Sequence, residues 1–381
     1  MDQNSEDNQA SFQSGFDKKV HPESLLSIVI PPDSLIKFKE SYDEEALKWP
    51  SDLAITTDFQ KFEQFVSSAH SLVRRWLPQD LIFRLESFMH DPNQPSAVVI
   101  RGLPIDDNLP PSTPEGHRHK NSSQQFMSET WLVGIARIVG QPFNYEFLAK
   151  AAGVAAEGMG LLIRQLYPMP EQEKLVSALG SREFLDFHMD GFQVLPQCYP
   201  NCLVFIGLRG DPSKVAKTLL CDFRELYSEL NPDAIDILLR EKITWKAPSL
   251  PGAAGFCKHI LEGTEANPVI NIYDENIGVS TTFDEVVGGS AAAVAAYRHA
   301  KEVARKVGVR REGVWLDAGD VLLVNQRRCA HGRRAFAAAY DGKDRWMQRV
   351  YVNEGAIWEP TGLVPWPIRA LPFEFAHKVE A

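Results

Sequence analysis

The amino-acid sequence predicts an α+β fold in which helices dominate the first part of the chain and short strands dominate the rest. Apolar residues in 'FQKFEQFVSSAHSLVRRW' recur every three or four positions, which is typical of an amphipathic helix. After residue 160, short apolar runs such as 'CLVFIGL', 'TLLCDF' and 'VLLVN' are separated by turn residues. Many short strands at modest spacing indicate a β-sandwich or barrel.

Composition limits the class of protein. The 381 residues are 44% hydrophobic, enough to fill a sizeable core, and the net charge of −10 argues against nucleic acid as a partner. Five cysteines without a Cys-x-x-Cys pair fit a reduced cytoplasm. No apolar run approaches the roughly 20 residues of a membrane span, and the polar composition of residues 1–20 predicts a disordered leader. We therefore expect a cytoplasmic protein that acts on a small molecule.

Three helices can be placed by their periodicity and their ends. The first begins behind a cap at Asp58 and ends at a proline. The second, 'SETWLVGIARIVG', has Ser128 as its cap and Gly140 as its stop. The third is an alanine-rich stretch entered near Ser290 and closed at Gly308, to which the sequence assigns no chemistry.

A histidine and an aspartate lie two apart in 'EFLDFHMDGF'. Strand alternation places one set of side chains on the same face: Phe184, Asp186, His188 and Asp190. An isolated His-x-Asp is more often a core histidine beside a surface aspartate, so a second element is needed. A rival pair, His117 and His119, lies in the loop 'PPSTPEGHRHKNSS', where solvated histidines are expected.

The second element is 'DAGDVLLVNQRRCAHGRRAF', in which a tight turn and a buried strand are followed by His331 and Gly332. Two histidines and one carboxylate can bind Fe(II) on one side and leave positions open for a co-substrate and oxygen. Further on, 'RWMQRVYV' places Arg345 and Arg349 on one strand face. A guanidinium there is suited to bidentate capture of a carboxylate.

The order His-x-Asp, His-Gly-Arg and an arginine in the next strand resembles the Fe(II)/2-oxoglutarate dioxygenases. Within them it is most similar to the clavaminate synthase-like, TauD-related branch, which includes hydroxylases of free arginine, lysine and asparagine. The similar pieces are 'VVIRGLP', 'LRGDPSKVAKTLL', 'IYDEN' and 'NQRRCAHGRRAFAAAYDGKDRWMQR', over roughly residues 96–355. The resemblance implies a double-stranded β-helix (jelly-roll) core, about 96–360, behind a helical part, about 21–95, in one domain spanning 21–381.

Carried over by position, the resemblance also implies a site. The implied iron ligands, which form the catalytic centre, are His188, Asp190 and His331. Arg345 would pair with the distal carboxylate of 2-oxoglutarate, and Thr218 would donate a hydrogen bond to it. Arg349 would bind the carboxylate of the substrate. Two alternatives stay open: Arg349 as a surface arginine, and Thr218 as a strand former without a ligand.

Three departures from the family pattern concern the substrate. Asp190 stands where amino-acid hydroxylases of this branch commonly have glutamate; because a carboxylate is retained, halogenation is disfavoured. Arg164 falls at the position of a glutamine that holds the amino-acid backbone, with Gln165 one step later, and the added cation would suit a second anionic group. Asp274 and Asn276 replace an Asp-x-Asp pair, so a neutral amide or ureido side chain fits at least as well as a guanidinium.

The implied activity is hydroxylation of an amino acid or a derivative in specialised metabolism. Fe(II), 2-oxoglutarate and O2 are the cofactor and co-substrates, and succinate and CO2 are the products. Desaturation or epoxidation would use the same ligands, and a jelly-roll binding module without turnover is the alternative from another class. The sequence leaves open whether the substrate is free or tethered to a carrier protein, and it gives no oligomeric state.

Overall fold

The structure is a computed structural model that describes residues 25–53, 59–113, 126–144, 162–174, 181–191, 199–246, 256–273, 285–354, 358–359 and 362–363. The expected polar leader, the loop histidines His117 and His119, and the substrate candidates Asp274 and Asn276 lie outside these residues.

Seven α-helices are found in the described part of the chain. Their bounds are α1 Pro32–Ala46, α2 Phe59–Trp76, α3 Gln79–Ser87, α4 Met127–Val139, α5 Phe223–Glu229, α6 Pro232–Arg240 and α7 Ala291–Val309. The three helices predicted by periodicity correspond to α2, α4 and α7. Ser290 caps α7, because its side chain accepts the backbone N–H of Ala293. Among the described residues, no helix is both long and apolar enough to cross a bilayer.

The cap predicted for α4 is wrong. Ser128 is the second residue of the helix, and the carboxylate of Asp106 takes the capping role from outside the helix. It accepts the backbone N–H of Met127 at 2.9 Å and the hydroxyl of Ser128 at 2.5 Å. A buried carboxylate at a helix N-terminus satisfies free N–H groups and favours the helix dipole.

Gly308 does not close α7, which runs one residue further to Val309. Its role is close packing, since a Cβ built on Gly308 would lie 2.0 Å from Cζ of Phe187. Gly140 does follow the last residue of α4 as predicted. The reason is again close approach, because a Cβ there would lie 2.4 Å from the carbonyl oxygen of Asn353.

Seventeen short strands are found in the described chain, and the apolar runs predicted as strands are among them. Their bounds are β1 Leu25–Val29, β2 Ala97–Arg101, β3 Gln141–Phe143, β4 Arg164–Leu166, β5 Leu185–His188, β6 Cys202–Arg209, β7 Thr218–Asp222, β8 Lys242–Lys246, β9 Phe256–His259, β10 Leu261–Thr264, β11 Asn267–Ile270, β12 Glu285–Gly288, β13 Val321–Asn325, β14 Cys329–Arg333, β15 Trp346–Asn353, β16 Trp358–Glu359 and β17 Gly362–Leu363.

Two sheets position the site. The larger has the order β1-β2-β13-β6-β15-β3, with β4 also paired to β15, and the smaller has the order β5-β14-β7. The chain passes from one sheet to the other between β13 and β14. The sheets approach each other at Phe205 on β6 and His331 on β14, whose ring centroids are 6.2 Å apart. Helices and sheets together make a mixed architecture, as the predicted α+β class requires.

The helical part covers the outer face of the larger sheet. Helix α4 is buried almost throughout and packs against α2 and against β15 and β6. Trp131 of α4 stacks on Phe38 of α1 with ring centroids 3.8 Å apart. Burial of this apolar face, rather than intrinsic helix propensity, is the main source of stability for such helices.

Candidate metal centre

The three predicted iron ligands converge between the two sheets. Ligand atoms of His188, Asp190 and His331 all lie within 4.8 Å of one another. Nε2 of His188 is 3.3 Å from Oδ1 of Asp190, and the two imidazole centroids are 4.3 Å apart. The reason is local, because His188 and His331 are directly opposed residues of the β5–β14 pair. Two histidines and one carboxylate in this cluster suit Fe(II).

A β-bulge in β5 breaks the predicted strand alternation. Pairing with β14 runs from His331↔His188 to Arg333↔Leu185, so Asp186 and Phe187 together oppose Gly332. Gly332 permits this, because a Cβ on it would lie 2.7 Å from the carbonyl oxygen of Leu185. The prediction that Asp186 shares a face with His188 is therefore wrong.

The side chain of Asp186 turns toward α7, together with Phe187. Its carboxylate pairs with Lys301 and Arg305 of that helix. The helix to which the sequence assigned no chemistry thus carries two cations directly behind the strand that bears the first ligand. No local pattern points to this contact, since Arg305 lies 119 residues after Asp186.

The histidines are held in states that can bind a metal. Nδ1 of His188 donates a hydrogen bond to the carbonyl of Asp186 at 2.8 Å, which directs Nε2 into the cluster. Burial, and next the proximity of His188, lowers the pKa of His331 to about 3, so its imidazole is neutral at physiological pH. Nδ1 of His331 is buried and has no hydrogen-bond partner among the described residues. Neutral imidazole is the form that ligates metals.

Asp190 is fixed through both its backbone and its side chain. Its N–H donates to Oε1 of Gln326 at 2.6 Å, and Nε2 of Gln326 donates to the carbonyl of Pro200 at 2.6 Å. Oδ2 accepts from Nη1 of Arg349 at 2.6 Å. Burial alone would raise the pKa of Asp190, but Arg349, and after it His188, hold it well below its ordinary value. Sequence reasoning missed Gln326, whose one signal is its place in the turn after a buried strand.

Two arginines line the same side of the cluster. Arg349 is 7% exposed, so the surface alternative for it is wrong. Its Nη2 donates to the hydroxyl of Tyr351 at 2.8 Å, and Arg164 is its direct partner across the β15–β4 pair. Burial lowers the pKa of Arg164 to about 10, which leaves it protonated at neutral pH. Sequence reasoning also missed Tyr351, which lies two residues after Arg349 on the same strand.

Gln165 is not brought to this site. It pairs with Gln348 on the opposite face of the sheet, and its Oε1 accepts the indole N–H of Trp346 at 2.7 Å. Gln165 therefore faces away from the His-Asp-His cluster, and Arg164 is the residue of the two that faces it. Alternation along β4 is the physical reason, because neighbouring side chains leave a strand on opposite faces.

A second pair of buried guanidiniums belongs to Arg345 and Arg333. Each lies over the ring of Phe336, with Cζ 5.3 Å and 5.2 Å from the centroid. Thr218 opposes Arg333 in the β14–β7 pair, and Arg345 donates to the carbonyl of Ala216 at 3.4 Å.

These two guanidiniums form an anion-binding position. Burial lowers the pKa of Arg345 to about 10; burial, and next Arg345 itself, lowers the pKa of Arg333 to about 9. Within the described chain, the buried Nε atom of each has no hydrogen-bond partner. Two buried cations with free donors suit a carboxylate. Sequence reasoning missed Arg333, although it is the arginine of the His-Gly-Arg string.

Comparison with known proteins gives no match to a family model. Curated relatives are found over most of the chain. Clavaminate synthase 2 of Streptomyces clavuligerus is 26% identical over 311 residues, which cover 78% of this chain and 86% of the relative. L-lysine 3-hydroxylase of Catenulispora acidiphila is 27% identical over 334 residues, covering 84% and 85%. L-asparagine oxygenase of Streptomyces coelicolor is 25% identical over 292 residues, covering 76% and 80%.

Solved structures share the fold. The crystal structure of asparagine oxygenase superposes with a TM-score of 0.69 at 22% identity, covering 91% of this chain and 99% of that one. The non-heme iron oxygenase OrfP in complex with Fe and alpha-ketoglutaric acid gives a TM-score of 0.64 at 23% identity, covering 87% and 95%. The structural neighbours are thus non-heme iron oxygenases. The homologues are clavaminate synthase and amino-acid hydroxylases, which confirms the resemblance seen in the sequence.

Proposed function

We propose that the protein is an Fe(II)- and 2-oxoglutarate-dependent oxygenase that hydroxylates a C–H bond of an amino acid or a derivative. The observation that carries this is the His-Asp-His cluster, with ligand atoms within 4.8 Å, flanked by two pairs of buried arginines. An amino-acid substrate is supported by relatives named for lysine, asparagine, and ornithine or arginine. Relatives named clavaminate synthase and enduracididine beta-hydroxylase favour specialised metabolism.

The two sheets, in this proposal, are the faces of a jelly-roll within a single domain over residues 21–381. The likeness to the iron oxygenases in fold supports it. A cytoplasmic setting is supported by the four described cysteines, all of which are free thiols.

We assign each site residue a role according to its place in the His-Asp-His cluster or beside one of the two arginine pairs. His188, Asp190 and His331 hold Fe(II). When bound, the iron with 2-oxoglutarate and O2 supplies the oxidising chemistry, and succinate and CO2 are released. Arg345 and Thr218 take the distal carboxylate of 2-oxoglutarate, and the buried Nε of Arg345 is the donor that fits it.

Arg349 and Arg164 orient the substrate. Arg349 binds Asp190 on one side and presents its charge to the substrate carboxylate, while Arg164 beside it favours a further anionic or acceptor group. Asp274 and Asn276 are proposed to contact the substrate side chain. Burial of Arg164 and Arg349 keeps water from the reacting bond, where each electrostatic interaction is stronger than in bulk solvent.

The test is a mass-spectrometric screen of free arginine, citrulline, lysine, asparagine and glutamine with Fe(II), 2-oxoglutarate and ascorbate. We expect one of these, or a close derivative, to gain one oxygen with matching succinate. His188→Ala and Asp190→Ala should abolish the substrate-dependent succinate, whereas His299→Ala should keep it, since His299 lies on α7 beside Asn231 and is not one of the proposed iron ligands.

Three outcomes would change the proposal. Loss of two hydrogens instead of gain of oxygen identifies a desaturase. Retained turnover in His188→Ala sinks the iron assignment. A wild-type protein that binds Fe(II) and 2-oxoglutarate but turns over neither free nor carrier-tethered amino acids contradicts an amino-acid substrate.

A further inference from the structure

We propose that Lys301 and Arg305, two cations on α7, are positioning residues for the iron ligand His188, on which they act through Asp186. This inference rests on the proposed function, since it concerns how tightly the same cluster holds its metal. Both side chains contact the bulge of β5, and their effect on His188 is carried by that bulge.

The contacts fix the bulge at several atoms. Arg305 makes a bidentate pair with Asp186, with Nε 3.0 Å from Oδ1 and Nη2 2.8 Å from Oδ2. Nζ of Lys301 lies 2.7 Å from Oδ2 of Asp186 and donates to the carbonyl of Phe187 at 2.9 Å. Both bulge residues are therefore held by α7, one through its side chain and the other through its backbone.

The backbone carbonyl of Asp186 orients the imidazole of His188. The carbonyl of Asp186 accepts the Nδ1–H of His188 at 2.8 Å. The carboxylate of the same residue, Asp186, pairs with both cations. The next residue is Phe187, whose carbonyl accepts a hydrogen bond from Lys301. A hydrogen bond to the far nitrogen of a ligating imidazole sets the ring orientation and its basicity. Movement of the bulge would therefore rotate Nε2 of His188 away from the cluster.

Helix α7 is placed closely enough to act in this way. Gly308 packs directly on the ring of Phe187, with no room for a Cβ between them. Asp186 is fully buried and Lys301 is 3% exposed. A buried carboxylate that loses every cation is strongly destabilised. Because Asp186 has two cations, removal of either leaves one to neutralise it, and each single variant should fold.

The experiment measures Fe(II) affinity of the full-length apoprotein anaerobically, by competition with a chromophoric chelator. Lys301→Met and Arg305→Met are each expected to raise the Kd for Fe(II) by about tenfold, the lower end of the range for residues that support metal ligands. Arg305→Lys should lose less Fe(II) affinity than Arg305→Met does. The visible spectrum of the Co(II)-substituted protein should change in Lys301→Met, since it reports ligand geometry.

Arg224→Met is the matched control. Arg224 makes a bidentate pair through the same atoms with Asp222, with Nε 3.0 Å from Oδ1 and Nη2 2.7 Å from Oδ2, at the far end of β7, and it is more deeply buried than Arg305. It should lower the free energy of unfolding but leave the Kd for Fe(II) and the Co(II) spectrum unchanged.

Two results would overturn the inference while leaving the proposed function intact. One is an unchanged Fe(II) Kd in both Lys301→Met and Arg305→Met. Because the side chain of Arg305 is half-exposed, Arg305→Met keeps the test valid even if Lys301→Met does not fold. The other is an equal loss of affinity in Arg224→Met, which would make the effect one of general stability. A wild-type protein that binds no Fe(II) overturns the proposed function, and this inference with it.

Discussion

Buried arginines set the charge of the site. Arg164 and Arg349 lie beside Asp190, and Arg345 and Arg333 lie over Phe336. Burial lowers the pKa of Arg164 and Arg345 to about 10 each and that of Arg333 to about 9, yet all three stay protonated at neutral pH. The described side chains thus offer two separate positions for anions, which the proposed function assigns to a co-substrate and to a substrate.

Arg345→Gln should weaken 2-oxoglutarate binding by about 10- to 100-fold, because hydrogen bonds to charged groups contribute about 1.5–3 kcal/mol. The Kd for Fe(II) should stay the same, since Arg345 touches none of the three metal ligands. Titration of the anaerobic Fe(II) protein with 2-oxoglutarate, followed by the visible band of the chelate, measures the effect. Arg334→Gln, on the neighbouring loop, is the control. Unaltered 2-oxoglutarate affinity in Arg345→Gln would remove Arg345 from this role.

At the scale of elements, the site depends on one irregular strand pair. The bulge of β5 against Gly332 of β14 keeps His188 opposite His331 while it turns Asp186 toward α7. A regular β5 would place Asp186 beside His188 and leave Lys301 without its carboxylate. The glycine after His331 is therefore a requirement of strand geometry.

Gly332→Ala should lower the free energy of unfolding by about 1–3 kcal/mol, the usual cost of overpacking, and weaken Fe(II) binding as well. Urea unfolding and the anaerobic Fe(II) titration measure the two effects. Gly102→Ala is the control, since Gly102 has a φ of +72° and open space around a Cβ. It should cost about 1–2 kcal/mol of backbone strain without a change in Fe(II) affinity. Normal Fe(II) affinity in Gly332→Ala would refute this account of the bulge.

For the whole molecule, the His-Asp-His cluster joins the two sheets. His188 and His331 belong to the smaller sheet, whereas Arg349, which holds Asp190, belongs to the larger one. A ligand that binds only the folded state stabilises that state by mass action. Metal binding should therefore strengthen the whole fold.

Fe(II) at about 100 times its Kd should add about 2.7 kcal/mol to the free energy of unfolding, and so raise the thermal midpoint by several degrees. Anaerobic calorimetry with and without Fe(II) measures the shift. His188→Ala should show none, and His299→Ala should show all of it. A shift of equal size in His188→Ala would mean that the metal stabilises the protein elsewhere.

Much of this arrangement could be predicted from local patterns. The spacing of His188, Asp190 and His331 indicated the metal cluster, and periodicity placed α2, α4 and α7. What the sequence could not supply are contacts between distant segments: the cap from Asp106, the bracing of Asp190 by Gln326, and the cations of α7. The sequence also could not decide which of Arg164 and Gln165 faces the cluster, because the choice between neighbours on a strand depends on which face the sheet buries.

The contact between Gln326 and Asp190 has a consequence for the order of folding. It spans 136 residues, and His331 follows Gln326 by only five positions in the same turn and strand. One late loop closure therefore brings two residues to the site: Gln326, which holds the backbone of Asp190, and the second histidine, His331. Such long-range contacts form slowly, because the entropy of closing the loop comes before the contacts that repay it. During synthesis the chain should stay unable to retain iron until β14 has left the ribosome, so metal loading can only follow the closure of this loop.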